Sequence, residues 1–84
     1  MPAYAEKFPA GSEVRVADAL TLERFRAGWH LHNSLLPEQL AWAGKRAVVA
    51  EVGFYHGGDP LYVLRGVPGV WHEACLTAVT DPAT

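Results

Sequence analysis

The 84-residue sequence has one cysteine, Cys75, so an intrachain disulfide cannot stabilise the fold. No apolar run approaches the ~20 residues that cross a bilayer, and the N-terminus lacks the basic-then-apolar pattern of a secretory signal. Dense lysine or arginine clusters are missing too, since seven basic and nine acidic residues leave a net charge of −2. We therefore expect a cytoplasmic protein with no membrane partner and no nucleic-acid partner, because binding to phosphates requires a positive field.

What the sequence does contain is apolar material for one compact core. Half of the residues are hydrophobic and 11% are aromatic, which argues against disorder. A chain of this size buries roughly 60% of its unfolded surface and forms one domain. We expect a flexible N-terminal arm at 1–7, a single domain at 8–80 and a tail at 81–84.

The N-terminal half predicts one strand and two short helices. Polar and apolar residues alternate over 13–17, as in a half-buried strand. Asp18 is a plausible helix N-cap, and Gly28 is suited to end that helix. Pro37 and Gly44 bound a second short helix, in which a helical period would turn Leu36, Leu40 and Ala43 toward the core.

The C-terminal half predicts the remaining strands. Residues 45–54 form the clearest one, with Val48, Ala50, Val52 and Phe54 on one face. A tight turn at 56–59 leads to a partner strand at 61–65, because its glycines permit positive φ. A short strand at 70–72, a helical turn at 73–76 and a closing strand at 77–79 follow. We predict a mainly β fold, a small SH3-like five-stranded barrel with one or two short helices inserted between strands 1 and 2.

Several motifs point to a family. The chain contains Phe8-x-x-Gly11-x-x-Val14-Arg15-Val16, then Gly44-x-x-Ala47-x-Val49-x-x-Val52, then Leu61-Tyr62-x-x-Arg65 and Trp71. From Phe8 to about Val79 it resembles the SH3-like C-terminal domain of the nitrile hydratase β subunit. The resemblance implies an accessory role in which the domain packs against a partner subunit. It implies no metal ligands and no cofactor, because in that family the α subunit holds the metal.

The aromatic residues predict a binding surface. SH3-like barrels bind extended peptides in a groove lined by aromatic side chains, and the candidates here are Trp29, Tyr55, Tyr62 and Trp71, with Asp59 and Glu73 on the rim. The same rings could instead fill the core, and Trp42 could belong to a subunit interface. We predict a non-catalytic interaction module or accessory subunit that recognises a protein partner or its own copy as a homo-oligomer. An exposed patch that includes Tyr55, Trp29 or Trp42 is expected.

A metal or thiol site is the alternative from another functional class. His72 and Cys75 share a face of the predicted helical turn, and His56 lies in the neighbouring hairpin. Together they could bind zinc through mixed nitrogen and sulfur ligands, or Cys75 could act as a nucleophile with a histidine as base. A structural interpretation competes, in which Cys75 is a small core residue. His30 and His32 could also bind a metal from a strand, whereas in a loop they would be solvated.

Overall fold

The computed structural model describes residues 6–55 and 58–79. Over these ranges the chain forms five strands, one α-helix and two short 3₁₀ helices. In chain order they are β1 (Glu13–Val16), α1 (Ala19–Gly28), η1 (Pro37–Trp42), β2 (Arg46–Tyr55), β3 (Asp59–Leu64), β4 (Trp71–His72), η2 (Glu73–Cys75) and β5 (Leu76–Ala78). Both α1 and η1 lie between β1 and β2, which confirms the predicted insertion. The predicted tail at 81–84, and all of the predicted arm except Glu6 and Lys7, lie outside the described residues.

The five strands form one antiparallel sheet in the order β4-β3-β2-β1-β5. The long strand β2 pairs with β1 over residues 46–48 and with β3 over residues 49–55. The prediction of a mainly β fold with five strands is confirmed. Among the described residues no pairing joins the edge strands β4 and β5, so the sheet is open rather than closed into a barrel.

The first strand and the helix after it form as their sequence predicts. Val14 and Val16 are buried, while the residues that alternate with them are exposed. Asp18 caps α1, because its carboxylate accepts a hydrogen bond from the amide of Thr21 at 2.7 Å and satisfies one of the free donors of the first turn. The helix ends at Gly28, which confirms both predicted boundaries.

The second helical segment differs from its prediction. It is a 3₁₀ helix, and Leu36 is its N-cap, with an extended backbone and 43% of its surface exposed. The tighter 3₁₀ turn changes which side chain faces inward, and Gln39 is buried at 1% exposure. Its side-chain oxygen accepts from the amide of Leu36 at 2.7 Å, and its side-chain nitrogen donates to the carbonyl of Val70 at 3.1 Å. The prediction that Leu36 faces the core is therefore wrong.

An irregularity in β2 changes the faces of that strand. Val49 lies opposite Leu64 and Val52 lies opposite Tyr62, so the four residues 49–52 of β2 lie opposite the three residues 62–64 of β3. Directly opposite residues share a face, and both β3 partners are buried. The extra residue of this β-bulge brings Val49 and Val52 to the inner face. The prediction that Val48 shares a face with Val52 is wrong for this reason.

The core lies between the sheet and the segments that cover it. Trp71 and Tyr62 are its largest fully buried side chains, and the ring of Phe8 packs on Tyr62 with 5.5 Å between centroids. The amide of Lys7 donates to the hydroxyl of Tyr62 at 3.0 Å, so the chain just before Phe8 is joined to β3. Within residues 6–55 and 58–79, the buried hydrophobic residues are Phe8, Val14, Val16, Leu22, Leu35, Val49, Tyr62, Leu64, Val67, Trp71, Cys75 and Leu76.

Candidate functional site

A cluster of rings surrounds His32, in the connection between α1 and η1. The imidazole of His32 stacks on the ring of Tyr55, with 3.6 Å between centroids and 14° between planes. Trp29 meets the same imidazole edge-on at 5.3 Å. Nε2 of His32 lies 3.1 Å from a carboxylate oxygen of Asp59, and Nδ1 lies 2.8 Å from the side-chain oxygen of Asn33. His32 thus joins the connection to the start of β3.

Local hydrogen bonds explain why the chain turns back at this point. Trp29 is the C-cap of α1, and its amide donates to the carbonyl of Phe25 at 2.9 Å. Its indole N–H donates to the carbonyl of His32, which folds the next residues over the helix end. Asn33 then takes a left-handed conformation with φ +52°, one that asparagine tolerates better than most residues. These features direct His32 toward the β2–β3 hairpin.

His72 lies beneath this cluster and supports it. Nε2 of His72 donates to the backbone carbonyl of Asn33 at 2.8 Å. Its ring packs against Trp29 and Phe25, at centroid distances of 4.7 and 4.9 Å. Burial lowers the pKa of His72, although the hydrogen bond to Asn33 opposes that shift. The neutral imidazole therefore acts as a structural donor that fixes the connection.

An open pocket of about 610 Å³ lies at the surface of this cluster. We call it the His32 groove, and its lining residues are Leu31, His32, Tyr55, Gly58 and Asp59. Leu31 is 70% exposed and Tyr55 is 40% exposed, so the groove presents apolar surface to solvent. The side chain of Asp59 is 60% exposed and places a carboxylate at one end. Concave, mainly apolar surfaces with a few polar groups are typical of binding sites.

The structure brings together at His32 three of the six predicted binding residues. Trp29, Tyr55 and Asp59 each contact His32. Tyr62 and Trp71 are fully buried in the core and do not line the His32 groove. The expected exposed patch is present at Tyr55.

Two of the buried or half-buried aromatic residues make other polar contacts. The hydroxyl of Tyr62 donates to Glu73. Burial and that hydrogen bond raise the pKa of Tyr62 to about 12. Trp42 is half-buried on η1, and Nζ of Lys45 lies 5.1 Å from the centre of its ring.

The residues of the metal or thiol hypothesis lie elsewhere. Cys75 is fully buried in η2, and burial raises the pKa of its thiol to about 11. His56 lies outside the described residues. Within residues 6–55 and 58–79, no group of three histidine, cysteine, aspartate or glutamate side chains is arranged to hold a metal ion. The site on His56, His72 and Cys75 stays a prediction.

Sequence reasoning missed the residues at the centre of the groove. The sequence patterns place His32 only among possible metal ligands, and they give Leu31 no role in a binding site. The available signal was the run His30-Leu31-His32, which comes directly after Trp29 and the helix-ending Gly28. That pattern suggests an apolar loop, but it does not show which strand the loop will contact.

Comparisons with protein-family models, with curated proteins and with solved structures found no match. Among the described residues, no helix is long and apolar enough to cross a membrane.

Proposed function

We propose that this protein is a non-catalytic interaction module of SH3-like type, and that it binds an extended segment of a protein partner in the His32 groove. The observation that carries the proposal is the exposed apolar surface of Leu31 and Tyr55 beside the carboxylate of Asp59. Extended peptides dock in such aromatic-lined grooves with little cost in backbone ordering. The groove is held in place by the His32 contacts, so its shape exists before a partner binds.

The SH3-like part of the proposal is supported by topology. Three features fit that architecture: the strand order β4-β3-β2-β1-β5, a bulged β2 that pairs with β1 and with β3, and the single 3₁₀ turn between β4 and β5. The groove lies between the long connection after β1 and the β2–β3 hairpin. In such a domain these are the segments expected to carry a binding surface.

The proposal extends to an accessory-subunit role, as the resemblance to the nitrile hydratase β subunit implies. Many of the residues that carry this resemblance lie in the sheet, in β1, β2, β3 and β4. A partner subunit would then supply the docking segment.

Selection from a random peptide library displayed on phage tests the proposal. The immobilised full chain serves as bait, and enriched peptides are measured against Leu31→Ser and Tyr55→Ser. Both substitutions remove apolar groove surface, and we expect each to weaken binding by about tenfold. Leu20→Ser is the matched control, because Leu20 is also an exposed leucine but lies on α1 outside the groove.

Two results would contradict the proposal. One is a selection that yields no binding peptides. The other is a set of peptides whose affinity is the same for Leu31→Ser, Tyr55→Ser and Leu20→Ser. Sedimentation of the free chain reports separately whether it self-associates, and comparison with Leu31→Ser and Tyr55→Ser tests whether the groove is the contact.

A further inference from the structure

A second, smaller pocket adjoins the His32 groove. Its volume is about 160 Å³, and Asp59 lines both the pocket and the groove. It lies between the end of α1, the start of β3 and η2. We call it the acid–aromatic pocket, after its walls of Phe25, Trp29, Pro60 and His72 and its carboxylates of Asp59 and Glu73.

The walls of this pocket are fixed aromatic rings. Phe25 and Trp29 stack with 5.3 Å between centroids and 16° between planes, and both contact the ring of His72. Their conformations are set by α1 and by the hydrogen bonds of Trp29 and His72. The negative face of an aromatic ring attracts a cation placed over it, most strongly for tryptophan.

Each carboxylate in the pocket is anchored through one oxygen. Oε2 of Glu73 accepts hydrogen bonds from the hydroxyl of Tyr62 and from the amide of Lys7. Oδ2 of Asp59 faces His32. Oε1 of Glu73 and Oδ1 of Asp59 accept no hydrogen bond from any described residue. Both carboxylates are therefore oriented by one oxygen and can accept a hydrogen bond from a ligand through the other.

Among the described residues, no lysine or arginine lines the pocket. His72 is a neutral donor to the carbonyl of Asn33 and adds no positive charge, because burial lowers its pKa. His32 contacts Asp59 from the groove side and lines the groove rather than this pocket. The pocket is therefore acidic and aromatic without an internal cation.

We propose that the acid–aromatic pocket binds an arginine side chain of the segment that docks in the His32 groove. The inference rests on the proposed function, because Asp59 joins the two cavities and one extended segment could fill both. A guanidinium group is planar, stacks on aromatic rings and forms paired hydrogen bonds with carboxylates. The volume accommodates one side-chain head group and excludes a run of peptide backbone.

A pair of small probes tests the pocket without a partner. N-acetyl-L-arginine methylamide and N-acetyl-L-citrulline methylamide have the same length, but citrulline carries a neutral urea in place of guanidinium. Each is titrated at constant ionic strength into the ¹⁵N-labelled full chain, and shifts are followed at the Trp29 indole N–H and the amides of Asp59 and Ala74. We expect saturable shifts with the arginine probe, and binding by the citrulline probe that is weaker by about tenfold.

Substitutions assign the effect to the two carboxylates. Asp59→Asn and Glu73→Gln are each expected to weaken binding of the arginine probe by about two- to fivefold, the range for partly exposed charge pairs. Glu38→Gln removes the same charge at an exposed position on η1 and should leave binding unchanged. Should Glu73→Gln unfold the chain, the exposed Asp59→Asn variant alone decides the result.

The outcomes separate this inference from the proposed function. Equal shifts from both probes, or affinity unchanged by Asp59→Asn, overturn the arginine pocket. Library peptides that require Leu31 but lack arginine also overturn it, while the proposed function stands. Saturable binding of the arginine probe without any groove-dependent peptide supports the pocket and contradicts the proposed function.

Discussion

His32 stacks face to face on Tyr55, with 3.6 Å between ring centroids. The first residue belongs to the connection after α1 and the second ends β2, so one ring contact joins the inserted segment to the sheet. The hydrogen bond between His32 and Asp59 also joins this segment to the start of β3. The shape of the candidate groove depends on these two interactions.

The His32→Ala variant should lose stability because it removes the stacking and the contact with Asp59. We expect the free energy of unfolding to fall by about 1–2 kcal/mol, measured by urea denaturation. His30→Ala is the matched control, since His30 is an exposed histidine two residues away, and its effect should stay within about 0.5 kcal/mol. Equal effects of the two substitutions would contradict a structural role for His32.

The titration of His72 should make the free energy of unfolding decrease as the pH falls below 6.5, the ordinary histidine pKa. Its pKa is lowered in the folded state, so the unfolded chain binds a proton that the folded chain does not. The decrease should end once the pH is below the folded pKa. His32 and Asp59 face His72 and modify its titration with opposite signs. Urea denaturation between pH 5 and 8 should show a smaller pH dependence for His72→Gln, which can retain a donor to Asn33. The same slope in both proteins would rule out His72 as the source.

Tyr62 should ionise late in an alkaline titration followed by absorbance at 295 nm. Its pKa is about 12 rather than 10.0, so between these values the unfolded chain releases a proton that the folded chain retains. Stability should therefore decrease as the pH rises above 10. Tyr62→Phe should abolish the late phase and cost about 1–2 kcal/mol at neutral pH, because the amide of Phe8 loses its acceptor and the amide of Lys7 keeps only Glu73. A late phase that persists in Tyr62→Phe would contradict this assignment.

Gly69→Ala should be more destabilising than Gly66→Ala. Both glycines have positive φ, and an alanine there costs about 1–2 kcal/mol in backbone strain. A Cβ at Gly69 would also lie 2.7 Å from the side-chain carbon of buried Gln39, whereas at Gly66 it would meet open space. Gly69→Ala should therefore lower the free energy of unfolding, measured by urea denaturation, by more than Gly66→Ala does. We expect this difference to disappear in a Gln39→Ala background. A difference that persists in that background would contradict this explanation.

Cys75 should react slowly with a thiol reagent such as DTNB in the native protein at pH 7.4. The thiol is fully buried and burial raises its pKa from 9.0 to about 11, so the thiolate is about 100 times rarer than for a free cysteine. Denaturation in urea should restore rapid reaction. Rapid modification of the native protein would contradict the buried placement and favour the thiol hypothesis.

Metal analysis of the purified protein tests the other form of that hypothesis. Stoichiometric zinc that is lost in both His72→Ala and Cys75→Ala would support a site on His56, His72 and Cys75. The absence of bound metal in protein prepared with added zinc would contradict it.

Several parts of the fold could be predicted from short stretches of sequence. The alternation around Val14 and Val16 predicts β1, and Asp18 and Gly28 mark the two ends of α1. Each of these signals depends on alternating burial or on hydrogen bonds between residues that are close in the sequence. The core position of Gln39 could not be predicted in this way, because it requires the carbonyl of Val70 from a distant turn.

The candidate site likewise combines features that local sequence predicts with features that depend on contacts between distant segments. The sequence alone determined that aromatic side chains would be plentiful enough for both a core and a surface, and it identified Trp29, Tyr55 and Asp59 as candidates. Only the tertiary structure decided that Tyr62 and Trp71 are buried while Tyr55 is exposed. Strand pairing and the β2 bulge set which faces point inward, and His32 reaches Asp59 across 27 positions of sequence. Local patterns cannot specify such contacts, because their energy appears only after distant segments have packed together.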